Sequence, residues 1–193
     1  MKKKIIITVI TIVAIALTCI AIVFITSNIS DKKQVVSDLN VTLNVMLGKC
    51  DETPYILSGD NAFESVISDE SLEKAINEKC TYEIKKIQIK DNTAIVDLSF
   101  TSPDIYQYLN ENIDEKNQEN QDVLVNNIIE NIETNVKNKS YEFQIELTLI
   151  NDHWYLNPNS NLANALSGNL ISWYSKIGEN KVNALIEEWL WNT

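Results

Sequence analysis

The spacing of apolar residues changes along the chain, and each spacing predicts a different kind of element. From residue 35 apolar side chains recur every three or four positions, which is typical of an amphipathic helix, and Gly48 is a suitable stop for it. From residue 81 they alternate with polar residues, which is typical of strands with one buried face. The mixture predicts an α+β domain. The apolar face of the first helix comprises Val35, Leu39, Leu43, Met46 and Leu47.

A first hairpin is predicted for residues 81–102. Positions 91–92 are Asp-Asn, which tolerate the left-handed backbone of a two-residue turn. Such a turn places Ile89 opposite Ala94 on one apolar face. The alternation slips by one position at residues 85–86, which predicts a β-bulge or a bend there.

A second hairpin is predicted for residues 140–157. Residues 141–149 alternate strictly between apolar and polar side chains, so this strand has one buried and one wet face. A two-residue turn at 151–152 then places Leu149 opposite Trp154 on the buried side.

His153 is the only histidine of the chain, and histidine is the commonest general acid or base in enzymes. The predicted turn pairs it with Ile150 on the outer side of the hairpin, and nothing in the sequence positions a partner for its ring. It is therefore predicted to be an exposed corner residue. A nucleophilic dyad with Cys50 or Cys80 stays open as the alternative.

Helical patterns occupy the remaining stretches. Residues 103–138 are predicted to form a helical insertion, introduced by Ser102 as N-cap, Pro103 in the first turn and Asp104 as a first-turn acid. Residues 161–191 are predicted to form the C-terminal helices. The last of these is a candidate partner-docking helix, because its apolar stripe contains tryptophan, which is enriched at interfaces. That stripe consists of Val182, Leu185, Ile186, Trp189 and Leu190.

The N-terminus has the pattern of a membrane anchor. Residues 5–26 are 22 residues without a charge, behind three lysines, and at about 1.5 Å per residue they span the roughly 30 Å hydrocarbon core. This predicts a cytoplasmic tail (1–4), a transmembrane signal-anchor (5–26) and an extracytoplasmic domain (27–193) of a single-pass cell-membrane protein. A cleaved signal peptide and lipoprotein processing at Cys19 are the alternatives.

The charge of the exterior part limits its partners. It carries 13 lysines against 27 acidic residues, a formal charge of −14, and the chain has no arginine. Such a surface repels nucleic acid and anionic lipid. The expected partners are therefore the membrane, through residues 5–26, and another envelope or secretion-machine protein, with no nucleic acid.

The sequence offers little material for catalysis. It has no glycine-rich phosphate loop, no G-x-S-x-G and no H-E-x-x-H. One histidine and two distant cysteines disfavour a zinc site. No catalytic residue, cofactor or metal site is predicted. Cys50 and Cys80 are a candidate disulfide in an oxidising compartment, and two buried thiols are the alternative.

The order of several stretches resembles a known family. They are "YEIKKIQIKDNTAIVDLSF", "TSPDIYQYL", a long acidic helical insertion, "LINDHWYLN" and "NLANALSG", within about residues 81 to 170. In this order they resemble the uncharacterised membrane-anchored and lipoprotein-like surface domains of Gram-positive bacteria that have a cystatin-like, or nuclear-transport-factor-2-like, fold. Members usually carry a lipobox cysteine, which this chain lacks at a suitable position.

The resemblance implies a curved antiparallel sheet packed on helices, behind an N-terminal transmembrane helix. It implies no catalytic residues, because the family has no agreed set. The concave face forms a pocket in some members and is simply core in most. Here the residues expected on it are Ile87, Ile89, Val96, Leu98, Phe143, Ile145, Leu147 and Trp154.

Two hypotheses of function follow. The first is a membrane-anchored extracytoplasmic domain that binds or scaffolds another protein and is not an enzyme. The second is a small-molecule-binding or enzymatic domain that uses the concave pocket, with Tyr82 or Tyr141 as its polar group. The strand pattern favours the first hypothesis, because the acidic side chains of the strands face away from the apolar set.

Overall fold

The computed structural model describes residues 29–57, 67, 69–112, 121–135 and 137–179. Within these ranges the chain forms six helices and one antiparallel sheet of four strands, so the predicted α+β class is confirmed. No helix in the described ranges is long and apolar enough to cross a membrane. The predicted anchor, residues 5–26, lies outside them.

The elements alternate between helical pairs and hairpins in the predicted order. The helices are α1 (29–46), α2 (Glu70–Lys79), α3 (Ile105–Asn112), α4 (Gln121–Thr134), α5 (Ser160–Leu166) and α6 (170–179). The strands are β1 (Thr81–Lys90), β2 (Thr93–Pro103), β3 (Asn138–Ile150) and β4 (His153–Leu156). They lie side by side in chain order, so β1 and β4 form the two edges of the sheet.

Both predicted hairpins have the predicted register. In the first, Ile89 pairs with Ala94 around Asp91, whose φ is 53°. The register shifts between Ile84 and Lys86, which confirms the predicted bulge.

The second hairpin pairs Leu149 with Trp154. Its turn residues Asn151 and Asp152 have φ values of 48° and 67°. Positive φ at both central positions is the signature of the turn that best matches the twist of the flanking strands, and this fixes the register of β4.

The start of α3 differs from the prediction. Strand β2 continues through Pro103, because β3 is long enough to pair Ser102 with Lys139. Asp104 follows the strand, and its Oδ1 accepts a hydrogen bond from the backbone N–H of Gln107 at 3.3 Å. Asp104 therefore caps the helix, and the prediction of Ser102 as N-cap is wrong.

The core lies between one face of the sheet and the helices. Val35, Leu39 and Leu43 of α1 are completely buried, as the helical pattern predicts, whereas Met46 is half-buried at the margin. Helix α2 packs against α4 and β2, and α5 packs against β2 and β3. Helix α1 therefore belongs to the domain core as much as the sheet does.

Candidate functional site

The side chain of His153 has a partner that the sequence did not reveal. His153 pairs with Ile150, as predicted, and its side chain is 42 % exposed. Its Nδ1, however, lies 3.4 Å from Oδ1 of Asp38 on α1, 115 positions away. The expectation of a histidine without a positioned partner is therefore wrong.

The carboxylate of Asp38 is the centre of this site. It is buried, with 4 % of the side chain exposed. Its Oδ2 accepts a hydrogen bond from the backbone N–H of Trp154 at 2.8 Å, and its Oδ1 accepts one from Nε2 of Gln34 at 2.8 Å. Burying a carboxylate without hydrogen-bond donors costs free energy, and these two donors offset that cost. The sequence signal was an acid three residues after Val35, on the apolar face of the first helix.

Tyr55 completes the site from the loop after α1. Its ring stacks on the imidazole of His153, with ring centroids 4.5 Å apart and planes at 11°. It also meets Tyr155 edge-on at 5.6 Å. Its backbone N–H donates to Oγ1 of Thr42 on α1 at 3.0 Å. The imidazole is thus held by a carboxylate at its edge and by an aromatic ring on its face.

A carboxylate beside an imidazole is also the arrangement that orients a catalytic histidine. In the part of the chain that the structure describes, no hydroxyl or thiol is hydrogen-bonded to Nε2 of His153. Nor does that part contain a group of three or more His, Cys, Asp or Glu side chains that could hold a metal ion. The contacts present are those of a brace between α1 and β4.

Cys50 and Cys80 are both free thiols in the structure. Cys80 is buried, and burial raises the pKa of its thiol to about 12 against the smaller, opposing effect of Lys49. Cys50 is half-buried, and its Sγ lies 3.9 Å from the carbonyl oxygen of Val41. Among the described contacts, neither sulfur is hydrogen-bonded to His153. The disulfide stays a prediction.

The eight residues expected on the concave face belong to the core. Five are buried, namely Val96, Leu98, Ile145, Leu147 and Trp154. Ile87, Ile89 and Phe143 are half-buried and pack against the same core. The helices therefore cover this side of the sheet.

The two tyrosines proposed as polar groups of a pocket have different surroundings. The Tyr82 hydroxyl lies 3.0 Å from Oδ1 of Asn40 and 3.2 Å from Oδ1 of Asn44, both on α1. Burial, followed by the charge of Cys50, raises the pKa of Tyr82. Tyr82 is therefore a second polar link between α1 and the sheet.

The hydroxyls of Tyr141 and Ser102 are buried without a hydrogen-bond partner in the described structure. Burial raises the pKa of Tyr141 to about 12, and the carboxylate of Asp104 adds to this shift. The Ser102 hydroxyl lies close enough to oppose the shift slightly, but its geometry falls short of a hydrogen bond. Two neighbouring unpaired hydroxyls are unusual in a protein interior.

Two surface cavities lie elsewhere. The larger, of about 410 Å³, is lined by residues 45–49 at the end of α1 and by polar side chains of α2. The smaller, of about 200 Å³, is lined by residues of α3 and α4 together with Asp104, Asn135 and Lys137. Neither is lined by the eight concave-face residues.

The candidate partner-docking stripe, residues 182–190, lies outside the described residues. No protein-family model matches the chain, and no curated protein or solved structure is significantly similar to it. The resemblance to Gram-positive surface domains therefore stays an expectation from the sequence.

Proposed function

We propose that this chain is a single-pass membrane protein whose extracytoplasmic domain is a non-enzymatic binding or scaffold module of a Gram-positive cell surface. One observation carries the proposal. The uncharged run ends at residue 26, and the chain is already helical at residue 29, in the helix whose stripe belongs to the domain core. A domain that begins so close to an anchor is held next to the membrane.

The braces on α1 support a mechanical role for this helix. Asp38 links it to β4, and Tyr82 links it to β1. Both edges of the sheet are thus tied to the helix that follows the anchor. We further propose the cystatin-like, or nuclear-transport-factor-2-like, cone as the fold. A four-stranded antiparallel sheet with helices packed on one face supports it.

The membrane topology is tested by fractionation and protease shaving. Full-length protein in its host is expected in the membrane fraction, resistant to alkaline carbonate extraction. In intact protoplasts, an external protease is expected to remove an epitope tag placed at residue 193 and to spare one placed before residue 1. Recovery of the protein in the soluble fraction, or the opposite pattern of protection, contradicts the proposal.

The binding role is tested by in-cell crosslinking and mass spectrometry. Full-length protein is compared with a variant truncated after Gly178, which lacks the candidate docking stripe. One partner that disappears on truncation is expected. The control is urea unfolding of both proteins, because a truncation that unfolds the domain would also remove the partner. Absence of a specific crosslink to either protein contradicts the binding role.

The alternative function, a small-molecule site in the domain interior, is favoured by the unpaired hydroxyls of Ser102 and Tyr141. Its test is native mass spectrometry of the full chain purified from its host in detergent. A bound mass that the Tyr141→Phe variant lacks supports this alternative. If no mass is bound, the two hydroxyls are buried polar groups that contribute no stabilising hydrogen bond. Tyr141→Phe is then expected to be as stable as the parent or more stable.

A further inference from the structure

The two edge strands of the sheet differ in how far the rest of the chain covers them. At the outer edge of β4, the N–H of Trp154 donates a hydrogen bond to Oδ2 of Asp38. The N–H and the carbonyl oxygen of Leu156 bond to Tyr55 and Leu57 at 2.8 and 3.0 Å. The edge is closed by the chain itself, and the inward side chains of Trp154 and Leu156 are 2 % and 0 % exposed.

The outer edge of β1 has no such cover in the part of the chain that the structure describes. Strand β1 pairs only with β2 there. Its four inward side chains are all half-buried, unlike those of β4. They are Tyr82, Ile84, Ile87 and Ile89. A long edge with a partly exposed apolar row is a template for another strand.

The hairpin geometry shows which backbone groups are free. In a hairpin with a two-residue turn, the pair flanking the turn exchanges both hydrogen bonds, and the pairs then alternate. Lys90 and Thr93 flank the turn here. The N–H and C=O groups of Ile89 and Ile87 therefore point away from β2, toward the open edge. A fifth strand would pair with these two residues.

The charges along β1 oppose those of the molecule. On the open face of the sheet, Lys86 and Lys90 flank Gln88, and all three side chains are exposed. Lys85 already pairs with Glu142 of β3. Glu83 lies on the same strand, and Asp97 of β2 is the register partner of Lys86, but neither Lys86 nor Lys90 forms an ion pair with any described residue. The exterior part as a whole has a formal charge of −14. A local basic stripe on an acidic protein therefore favours an acidic fifth strand over a basic one.

We propose that the outer edge of β1 accepts an extended acidic segment of a partner protein as a fifth strand. Side chains directly opposite each other across two strands favour opposite charges. A second copy of this chain fits poorly, because an antiparallel β1–β1 pair brings lysines against lysines. The net negative charge of the molecule opposes an acidic partner only weakly, since charges farther than about 8 Å, the Debye length at physiological ionic strength, are largely screened and the nearby lysines dominate. This inference rests on the proposed binding role and adds a second contact surface to the candidate docking stripe of residues 182–190, together with the chemistry of the segment that binds there.

The test uses the full chain in detergent micelles and fluorescein-labelled Glu-Val-Glu-Thr-Glu-Val-Glu, read by fluorescence anisotropy at about 0.15 M salt. The acidic peptide is expected to bind, and its lysine counterpart, Lys-Val-Lys-Thr-Lys-Val-Lys, is not. Hydrogen exchange is expected to show new protection of the Ile87 and Ile89 amides when the acidic peptide is bound. Substituting Lys86→Glu with Lys90→Glu is expected to weaken binding of the acidic peptide at least about tenfold.

The matched control is Lys32→Glu with Lys74→Glu, which changes the net charge equally at exposed positions on α1 and α2. It is expected to change affinity by less than about twofold. Absence of binding to the unaltered protein, protection outside β1, or equal losses in both double variants would overturn the proposal. In-cell crosslinking of the unaltered protein tests the proposed binding role without reference to β1, so failure of that role and failure of this inference are seen separately.

Discussion

The carboxylate of Asp38 receives hydrogen bonds from α1 itself and from β4, and it lies beside the ring of His153. A buried acid with donors from two elements fixes how those elements sit relative to each other. Removal of one partner leaves the others unsatisfied, which costs more than the bond itself contributes. A small change at Asp38 is therefore expected to disturb the fold strongly.

Asp38→Ala is expected to lower the free energy of unfolding by about 3 kcal/mol, because it leaves the Trp154 N–H unpaired and opens a small cavity. Asp38→Asn is expected to cost less, since its carbonyl oxygen can still accept from Trp154. Urea unfolding of the full chain in micelles measures both. Asp51→Ala, at an exposed loop position, is the control and is expected to stay within about 0.5 kcal/mol of the parent. Equal stability of Asp38→Ala and the control would contradict the claim that Asp38 stabilises the contact between α1 and β4.

Thiol labelling distinguishes a Cys50–Cys80 disulfide from two free thiols. The experiment uses a Cys19→Ser background. Cys50 is half-buried and is therefore expected to react with iodoacetamide in the native protein. Cys80 is expected to react only on unfolding, because burial raises its pKa to about 12 and the thiolate is the reactive form. Mass spectrometry after proteolysis locates the label. If neither cysteine in the unfolded protein reacts until a reductant is added, the two form the predicted disulfide instead.

At the scale of elements, the turn between α5 and α6 is fixed by its contact with α3. Gly168 has a φ of 61° there, and its carbonyl oxygen accepts a hydrogen bond from the N–H of Ile105 at 3.1 Å. A Cβ on Gly168 would lie 2.8 Å from Cδ1 of Ile105 and 3.1 Å from the carbonyl oxygen of Pro103. The glycine is required both for its backbone conformation and for close approach. The stretch "NALSG" thus marks a packing site between helices.

The glycines offer a graded series of alanine substitutions. Among the described residues, a Cβ on Gly178 in α6 meets nothing within 4 Å, so Gly178→Ala is expected to gain up to about 1 kcal/mol from helix propensity. Gly48→Ala has equally open space but a φ of 62°, so backbone strain alone is expected to cost about 1 kcal/mol. Gly168→Ala combines strain with the clash and is expected to cost about 2–4 kcal/mol. Thermal and urea unfolding rank the three variants by their free energy of unfolding. If Gly48→Ala and Gly168→Ala lose equal amounts, α3 moves away from the new methyl group at no cost in free energy.

At the scale of the whole molecule, the periodicity of the sequence predicted those structural features that depend on residues close together in the chain. Alternation and turn residues were enough for both hairpins and for the bulge near Lys85. The brace was missed because Asp38 and His153 come together only when α1 packs beside β4, and no local spacing records that approach. The Ser102 cap failed for a related reason. Its local signal was overridden by pairing with β3, which supplied Lys139 as a partner.

The fold as a whole is expected to lose stability at alkaline pH. Cys80 and Tyr141 have pKa values raised by burial from 9.0 and 10.0 to about 12. At neutral pH both groups are protonated in the folded and unfolded chains, so they contribute no pH dependence. As the pH rises above about 9, the unfolded chain loses these protons first. Unfolding is therefore favoured progressively up to about pH 12. Added negative charge on a chain of net charge −11 works in the same direction.

Urea unfolding between about pH 8 and pH 11 measures this loss. Cys80 alone is expected to contribute a slope of up to about 1.4 kcal/mol per pH unit once the pH exceeds its ordinary pKa. Tyr141 is expected to contribute less, because it is only half-buried. The Cys80→Ala variant removes one titrating group and is expected to have a shallower profile than the parent, although its stability at pH 8 is lower from the lost side-chain volume. Parallel profiles for the two proteins would mean that Cys80 ionises as easily in the folded chain as in the unfolded one, and that the core around it admits water.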